Sequence, residues 1–511
     1  MVSLTKRAIL LAAAFTCISA GAAPAQGSPY VPLDDVAYTY IDALIARGYL
    51  AQLPVFDRPY TSGAILAAAD SATGEQSAAI ASYFTALRRA VSKYRVIRPD
   101  SDSTSFHATT SGNLYVTGQT SGRRELMLAD DNNAVKPAGT IKVMMSGGPI
   151  SASMRVLIDS RLNADPEFTG RKDRKLAARA EDGYVRGQWK YGELSFGRVG
   201  RNWGPPGVNG LMLGSYAYTY DHLYAKLGTD QVNVTSIVAK LDTYQPANSV
   251  AYQRYLSLQR LSFGRGPWHV GLMESFVYSG EGRGFEPTLS NPFNILALSW
   301  RDEKADGNLA LGGEASWHSA TMGNWYVQGL LDDFQIDKCD TTCKEPASFG
   351  VMASVDGLPL PADQRGFASY VRVSNLAYRT PNPAEKYASA DIGLGQPFSD
   401  FDELKAGLDL AVIPRIPVRV YGAFRRQGEG DYRKAFPPVA TYAKVPLILS
   451  GVVMHVKRIG ASGGAQLGEF ELSGDAGMNW TSNAGHVAGV SKTSFEGRIK
   501  ISWDPSWRFS L

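Results

Sequence analysis

From about residue 105 to the C-terminus, apolar residues recur at every second position. Leu404, Ala406, Leu408, Leu410 and Val412 alternate with Lys405, Gly407, Asp409 and Ala411. Phe470, Leu472, Gly474, Ala476, Met478 and Trp480 alternate with Glu469, Glu471, Ser473, Asp475, Gly477 and Asn479. Phe495, Gly497, Ile499, Ile501 and Trp503 alternate with Glu496, Arg498, Lys500 and Ser502. A period of two belongs to the β-strand, whose successive side chains point to opposite faces. Each segment therefore has one apolar face and one polar, often charged, face. An outer-membrane barrel needs this arrangement, with lipid outside and a polar lumen inside. A half-solvated antiparallel sheet shows the same alternation.

The pattern predicts strands over 105–119, 139–147, 151–160, 181–191, 192–201, 222–228, 232–242, 252–263, 267–277, 308–317, 323–335, 347–356, 364–376, 401–412, 416–427, 447–458, 466–480 and 493–504. The count is even, the strands are near ten residues long, and Trp and Tyr gather near their ends. Connections alternate in length. Short ones fall at 147–149, 191–192, 228–230, 264–266, 319–323, 357–365, 414–415 and 459–465. Long ones include 161–180, 202–221, 278–307, 377–400 and 428–446. Short turns at one rim and long loops at the other are the rule for a membrane barrel, whereas a sandwich has no reason to sort its loops by parity.

Residues 31–97 follow a helical period instead. Asp34 or Asp35 opens a helix with Val36, Tyr40, Ile41, Leu44 and Ile45 on one face, stopped by Gly48. Thr61 opens a second with Ile65, Leu66 and Ala69, and Glu75–Lys93 carries Ile80, Phe84, Leu87 and Val91 on a third. Pro99 and the run Asp100-Ser101-Asp102-Ser103 mark a boundary. Ahead of the head, Lys6 and Arg7 precede a short apolar run, Ala8–Ile18, and small-residue cleavage sites at Ala22 or Ala25. That is the layout of a secretory signal peptide. The expected organisation is a signal peptide over 1–25, a helical bundle over 26–100 and a barrel over 101–511.

Composition narrows the chemistry. With 52 Lys+Arg against 48 Asp+Glu, the chain lacks the cation excess of a nucleic-acid binder. An apolar content of 44% excludes a disordered chain. His107, His222, His269, His318, His455 and His486 are scattered at no metal-ligand spacing, so neither metal nor cofactor is expected. Gly460-Ala461-Ser462-Gly463-Gly464 matches a nucleophile elbow, but it joins alternating strands and is expected to be a hairpin turn. Asp332 and Asp333 are adjacent on a strand and face opposite sides, which rules out a shared acid/base role. Cys339 and Cys343 are the two cysteines left once Cys17 leaves with the signal peptide. A tight turn in an exported protein brings such a pair within reach of a disulfide.

Binding chemistry is better supplied. Arg198, Arg201, Trp203, Tyr216, Tyr218 and Tyr220 lie on or beside one outer loop, and Arg161, Arg171, Lys172, Arg174, Lys175 and Arg179 on another. Aromatic faces stack on sugar rings, and arginine pairs with carboxylates or phosphates. The same residues also suit a membrane aromatic girdle and the phosphates of lipopolysaccharide.

An ordered set of segments resembles the capsule assembly Wzi family of outer-membrane barrels. The set comprises Ser28–Asp34 with Ala43–Gly48, Arg58-Pro59-Tyr60, Gly197-Arg198 with Trp203-Gly204-Pro205, Glu274-Ser275-Phe276, Asn291–Asn294 and Leu331–Asp337. Leu511 departs from the aromatic end common among barrels, although Trp507 and Phe509 keep an aromatic alternation. The resemblance implies an eighteen-stranded barrel with a helical bundle at its periplasmic mouth. Its implied role is a monomeric lectin, not an enzyme, that holds capsular or exported polysaccharide at the cell surface among outer-membrane lipids and lipopolysaccharide. A substrate-specific porin is the alternative.

Overall fold

The computed structural model describes residues 27–74, 76–96, 106–128, 131–246, 250–303, 305–333, 345–505 and 509–510. Residues 1–25, where a signal peptide is expected, and both Cys339 and Cys343 lie outside them. Eighteen antiparallel strands, from His107–Gln119 to Ser491–Trp503, close into a barrel. Sequence neighbours pair in order, and the last strand returns to the first through Leu114 opposite Trp503 and Gln119 opposite Arg498. Every predicted segment overlaps an observed strand. The alternation sorts as expected: Leu404, Leu408, Val412, Phe470, Ile499 and Ile501 are exposed on the outward face. Their neighbours Lys405, Asp409, Asp475, Arg498 and Lys500 line interior cavities.

Several strand ends shift by a few residues, and one strand is displaced further. The strand predicted to end at 458 spans Met454–Leu467, and the expected turn at 459–465 is mid-strand. The turn falls instead at Gly468, whose φ is +68°. The glycines serve close approach. A Cβ on Gly464 would lie 3.0 Å from Val36 and Thr39 of the head, and one on Gly460 would lie 2.9 Å from the Tyr421 ring.

The head contains helices α1 (Ala37–Ile45), α2 (Ser62–Asp70) and α3 (Ala78–Ser92). Asp35 accepts the Ala37 N–H (2.8 Å), Thr61 caps α2 through the Ala64 N–H, and Ser77 caps α3 through the Ile80 N–H. Their apolar faces form one core with Tyr40, Ile41, Leu44, Ile65, Tyr83, Leu87 and Val91 all buried. Each such side chain contributes roughly 1.5–3 kcal/mol by leaving water.

The bundle packs against the rim where the short turns gather. The Gly27 N–H donates to the Gly148 carbonyl (2.8 Å), and Asn324 donates to the Ile45 carbonyl (3.2 Å). Tyr40 donates to the Arg415 carbonyl (2.7 Å), and the Arg415 N–H donates to Ser82 (2.8 Å). Gly357 accepts the helix end because a Cβ there would lie 2.2 Å from the Ala46 carbonyl.

A further tie is electrostatic. Asp57, in the segment between α1 and α2, accepts from Lys226 (3.0 Å) and Tyr224 (3.2 Å) and pairs with Arg260 (3.4 Å). Burial alone would raise the Asp57 carboxyl, but Lys226 and Arg260 outweigh it and hold the group well below the ordinary carboxylate range.

Candidate functional site

Two long connections enter the barrel. Trp203, Leu211, Met212 and Leu213 of the 199–220 connection are fully buried against strand residues such as Ile237, Leu256, Leu258 and Met352. From the 374–400 connection, Tyr378, Tyr387 and Leu394 join the same core, and the Tyr378 hydroxyl donates to the Leu211 carbonyl (2.6 Å). At the head, Arg58 and Asn202 exchange backbone hydrogen bonds (3.0 and 3.2 Å). The lumen is therefore packed along one side, from the head to the inserted loops.

Beside this packing the lumen keeps polar cavities. The one next to the head, about 360 Å³, is lined by Asp34, Asp35, Asp42, Asp356 and Asp409 against Lys405 and Arg419. A second, about 470 Å³, reverses the balance: seven cations (Arg124, Arg161, Lys405, Arg425, Arg458, Arg498 and Lys500) face three carboxylates (Glu125, Glu403 and Asp475). The cavities share Lys405, Tyr421, Ser473 and Gly474, so a charge gradient runs along continuous walls.

Several cations of the second cavity are already paired. Arg425 bridges Glu403 (2.5 Å) and Glu125 (3.1 Å), Arg161 pairs with Asp159 (2.6 Å), and Arg458 pairs with Asp475 (2.7 Å). Lys405, Arg498 and Lys500 have no carboxylate within 4.0 Å among the described residues. The Lys405 ammonium lies 4.0 Å from the centre of the Tyr421 ring, and Lys500 lies 4.5 Å from that of Tyr115. Unpaired cations next to aromatic faces suit an anion carried on a ring-shaped, polar molecule.

The residues singled out from sequence divide into three groups. Tyr216 and Tyr218 meet Arg124, whose guanidinium lies 4.4 Å from each ring, and Arg179 lies 4.3 Å from Tyr218 on its own account. Tyr218 donates to Asp165 (2.5 Å), and burial together with Asp165 pushes its hydroxyl well above the usual tyrosine range. This cluster connects to the cationic cavity through Arg124.

Arg201 and Trp203 are internal supports. The Arg201 guanidinium stacks 3.6 Å from the Tyr224 ring centre and donates to His222 (2.9 Å) and Ser195 (3.1 Å). Trp203 is fully buried with Arg260 4.3 Å from its ring centre.

Arg198, Arg171 and Arg174 belong to neither group, and Lys172 touches the first through the Asp165 backbone. Arg198 pairs with Asp221 (2.9 Å), Arg171 and Arg174 are exposed, and Lys172 donates to the Asp165 carbonyl (3.1 Å). Sequence reasoning did not single out Lys405, Arg425, Arg458, Arg498 and Lys500 as site residues. Their signal was the polar half of the strand alternation, which names lumen-facing positions but not which of them share a cavity.

Closed topology, outward apolar face and polar interior define a transmembrane β-barrel of the outer-membrane type. The Escherichia coli outer-membrane protein Wzi, a carbohydrate-binding barrel involved in group 1 capsule assembly, is similar in fold, with a TM-score of 0.62 at 13% identity over 94% of this chain and 100% of that one. OprD of Pseudomonas aeruginosa (TM-score 0.42, 10% identity, 81% of this chain and 99% of that one) and OccAB4 of Acinetobacter baumannii (0.42, 12%, 81% and 100%) are more distant. Neither a protein-family model nor a curated protein sequence matches the chain.

Proposed function

We propose that this protein resides in the outer membrane after export through a cleaved signal peptide, and that it binds an acidic capsular or exported polysaccharide at the cell surface. In this reading it is a lectin and not an enzyme. The head closes the periplasmic mouth, and the inserted loops brace the lumen. The observation that carries the reading is the cationic cavity, where Lys405, Arg498 and Lys500 face open space beside Tyr421 and Tyr115. Sugar carboxylates or phosphates would supply the missing counter-charge, and the aromatic rings would take the sugar faces. The shared fold with a carbohydrate-binding barrel supports the same conclusion.

The test is Lys405→Ala combined with Lys500→Ala in a strain lacking the native gene. Neither substitution orphans a paired carboxylate, so barrel yield is expected to stay normal while cell-retained acidic polysaccharide falls and released polysaccharide rises. Wild-type retention would remove this cavity from the binding site. Planar-bilayer conductance distinguishes the porin: a steady open current from the wild-type protein would favour solute transport.

A further inference from the structure

The barrel wall carries a polar patch on its outward side. On the strand Trp268–Glu281, Trp268, Val270 and Leu272 are exposed on that face, and the next residue on it is Glu274. Its partner across the sheet is Gln259, and Ser257 lies on the same face two residues along. Strands rise about 3.3 Å per residue and tilt about 40° in such barrels, so Glu274 sits about 15 Å above the Trp268 rim, inside an apolar band about 25 Å tall. A bare carboxylate at that height would face hydrocarbon, which is costly.

The connection between Glu281 and Asn308 covers it. The chain runs down the outside of the barrel, and its Leu296 and Ala297 N–H groups donate to Glu274 (2.8 and 3.2 Å). Gln259 donates to the Asn291 carbonyl (2.8 Å). Leu289 and Leu296 pack on Tyr255, Phe276 and Tyr278 of the wall, and all five are buried. The opposite side of the flap presents Phe293, Ile295, Leu298 and Trp300, each between 44% and 67% exposed. Charged Arg301, Asp302 and Glu303 follow where the chain returns towards the rim.

We infer that this flap is a membrane-embedded element whose Phe293, Ile295, Leu298 and Trp300 face is covered by acyl chains of the outer leaflet. Continuity identifies the occupant. The flap surface runs on from the lipid-facing residues Val270, Leu272 and Leu311, and it descends to the height of Glu274 within the same band. The flap thus takes over the hydrophobic surface where the wall becomes polar. The inference rests on the outer-membrane reading, but not on polysaccharide binding.

The test places a fluorescent label at Leu298→Cys in the full chain with Cys17, Cys339 and Cys343 replaced by serine, reconstituted in phosphatidylcholine vesicles. A control label at Val270→Cys reports whether the barrel itself is in lipid. Doxyl-labelled lipid is expected to quench the Leu298 label as strongly as the Val270 control, and aqueous iodide to quench neither. Quenching of Leu298 by iodide alone, with Val270 still lipid-quenched, would place the flap in water and overturn the inference. Shielding from both agents with crosslinking between copies would put a second barrel on this face and overturn it equally. Loss of lipid quenching at Val270 would instead strike the membrane reading itself and, with it, the flap. Phe293→Cys repeats the measurement if Leu298→Cys does not give a heat-modifiable, folded barrel.

Discussion

Replacing Asp57 by asparagine should loosen the head from the barrel without opening the barrel itself. Asp57 connects a segment between two head helices to Tyr224 and Lys226 on the wall strand Asp221–Gly228 and to Arg260 on the strand Tyr252–Arg265. Breaking a buried ion pair from one side costs about 3–5 kcal/mol, because the remaining charge stays desolvated. Arg260 is 2% exposed and keeps, as its one carboxylate partner among the described residues, only Glu314 at 3.6 Å, whereas Lys226 is 22% exposed and regains water. The expected loss is therefore near the low end, about 3 kcal/mol, which raises the population of undocked head about 150-fold.

Hydrogen exchange in detergent micelles reads this directly. The α1 and α3 amides should lose protection in Asp57→Asn while amides of strands Phe401–Ile413 and Phe470–Ser482 keep theirs. The Asp57 carboxyl is depressed in the folded protein, so its stabilisation is complete above the ordinary carboxylate range. It is lost only as pH falls through the depressed value. Wild-type head protection should thus be flat between neutral pH and the ordinary carboxylate range, with the variant weaker throughout. Unchanged α1 protection in the variant would refute the latch, and equal loss in head and strands would show that Asp57 supports the barrel as a whole.

Trp203→Ala should lower the urea midpoint of unfolding, because the indole is fully buried under Arg260 and such truncations cost about 3–5 kcal/mol; an unchanged midpoint would contradict its supporting role. Removing residues 27–96 should leave conductance below that of an open barrel of this size, since Trp203 and Leu211–Leu213 remain in the lumen; a large steady current would assign closure to the head alone. Cys339 and Cys343 should form a disulfide in protein folded in the periplasm, and two alkylatable thiols in unreduced material would refute it.

The alternation of apolar and polar residues was enough to determine eighteen strands, their two faces and the parity of the loops, because each strand must satisfy lipid on one side and water on the other whatever its neighbours are. The head helices were legible for a similar local reason: each apolar stripe lies within a few residues of the Asp35 or Thr61 that opens it, while the start of the third, expected at Glu75, falls at the Ser77 cap.

What sequence could not decide was where glycines and loop residues go once the barrel closes. Gly460–Gly464 has the composition of a turn, yet Gly464 admits the start of α1 and Gly460 the Tyr421 ring. Arg201 and Trp203 have the chemistry of an exposed sugar site, yet their loop folds inward and they pack against Tyr224 and Arg260. Lys405 comes from the strand Phe401–Ile413, whereas Arg498 and Lys500 share the strand Ser491–Trp503 nearly a hundred residues later, and closure of the sheet brings the two strands' cations to one cavity. Glu274 was a carboxylate in an apolar strand, and only the descent of a loop twenty residues later gives it the N–H groups of Leu296 and Ala297. Local pattern fixes which face a residue takes, whereas its partners depend on which distant segments share that face, and that is decided by closure of the barrel and the paths of its loops.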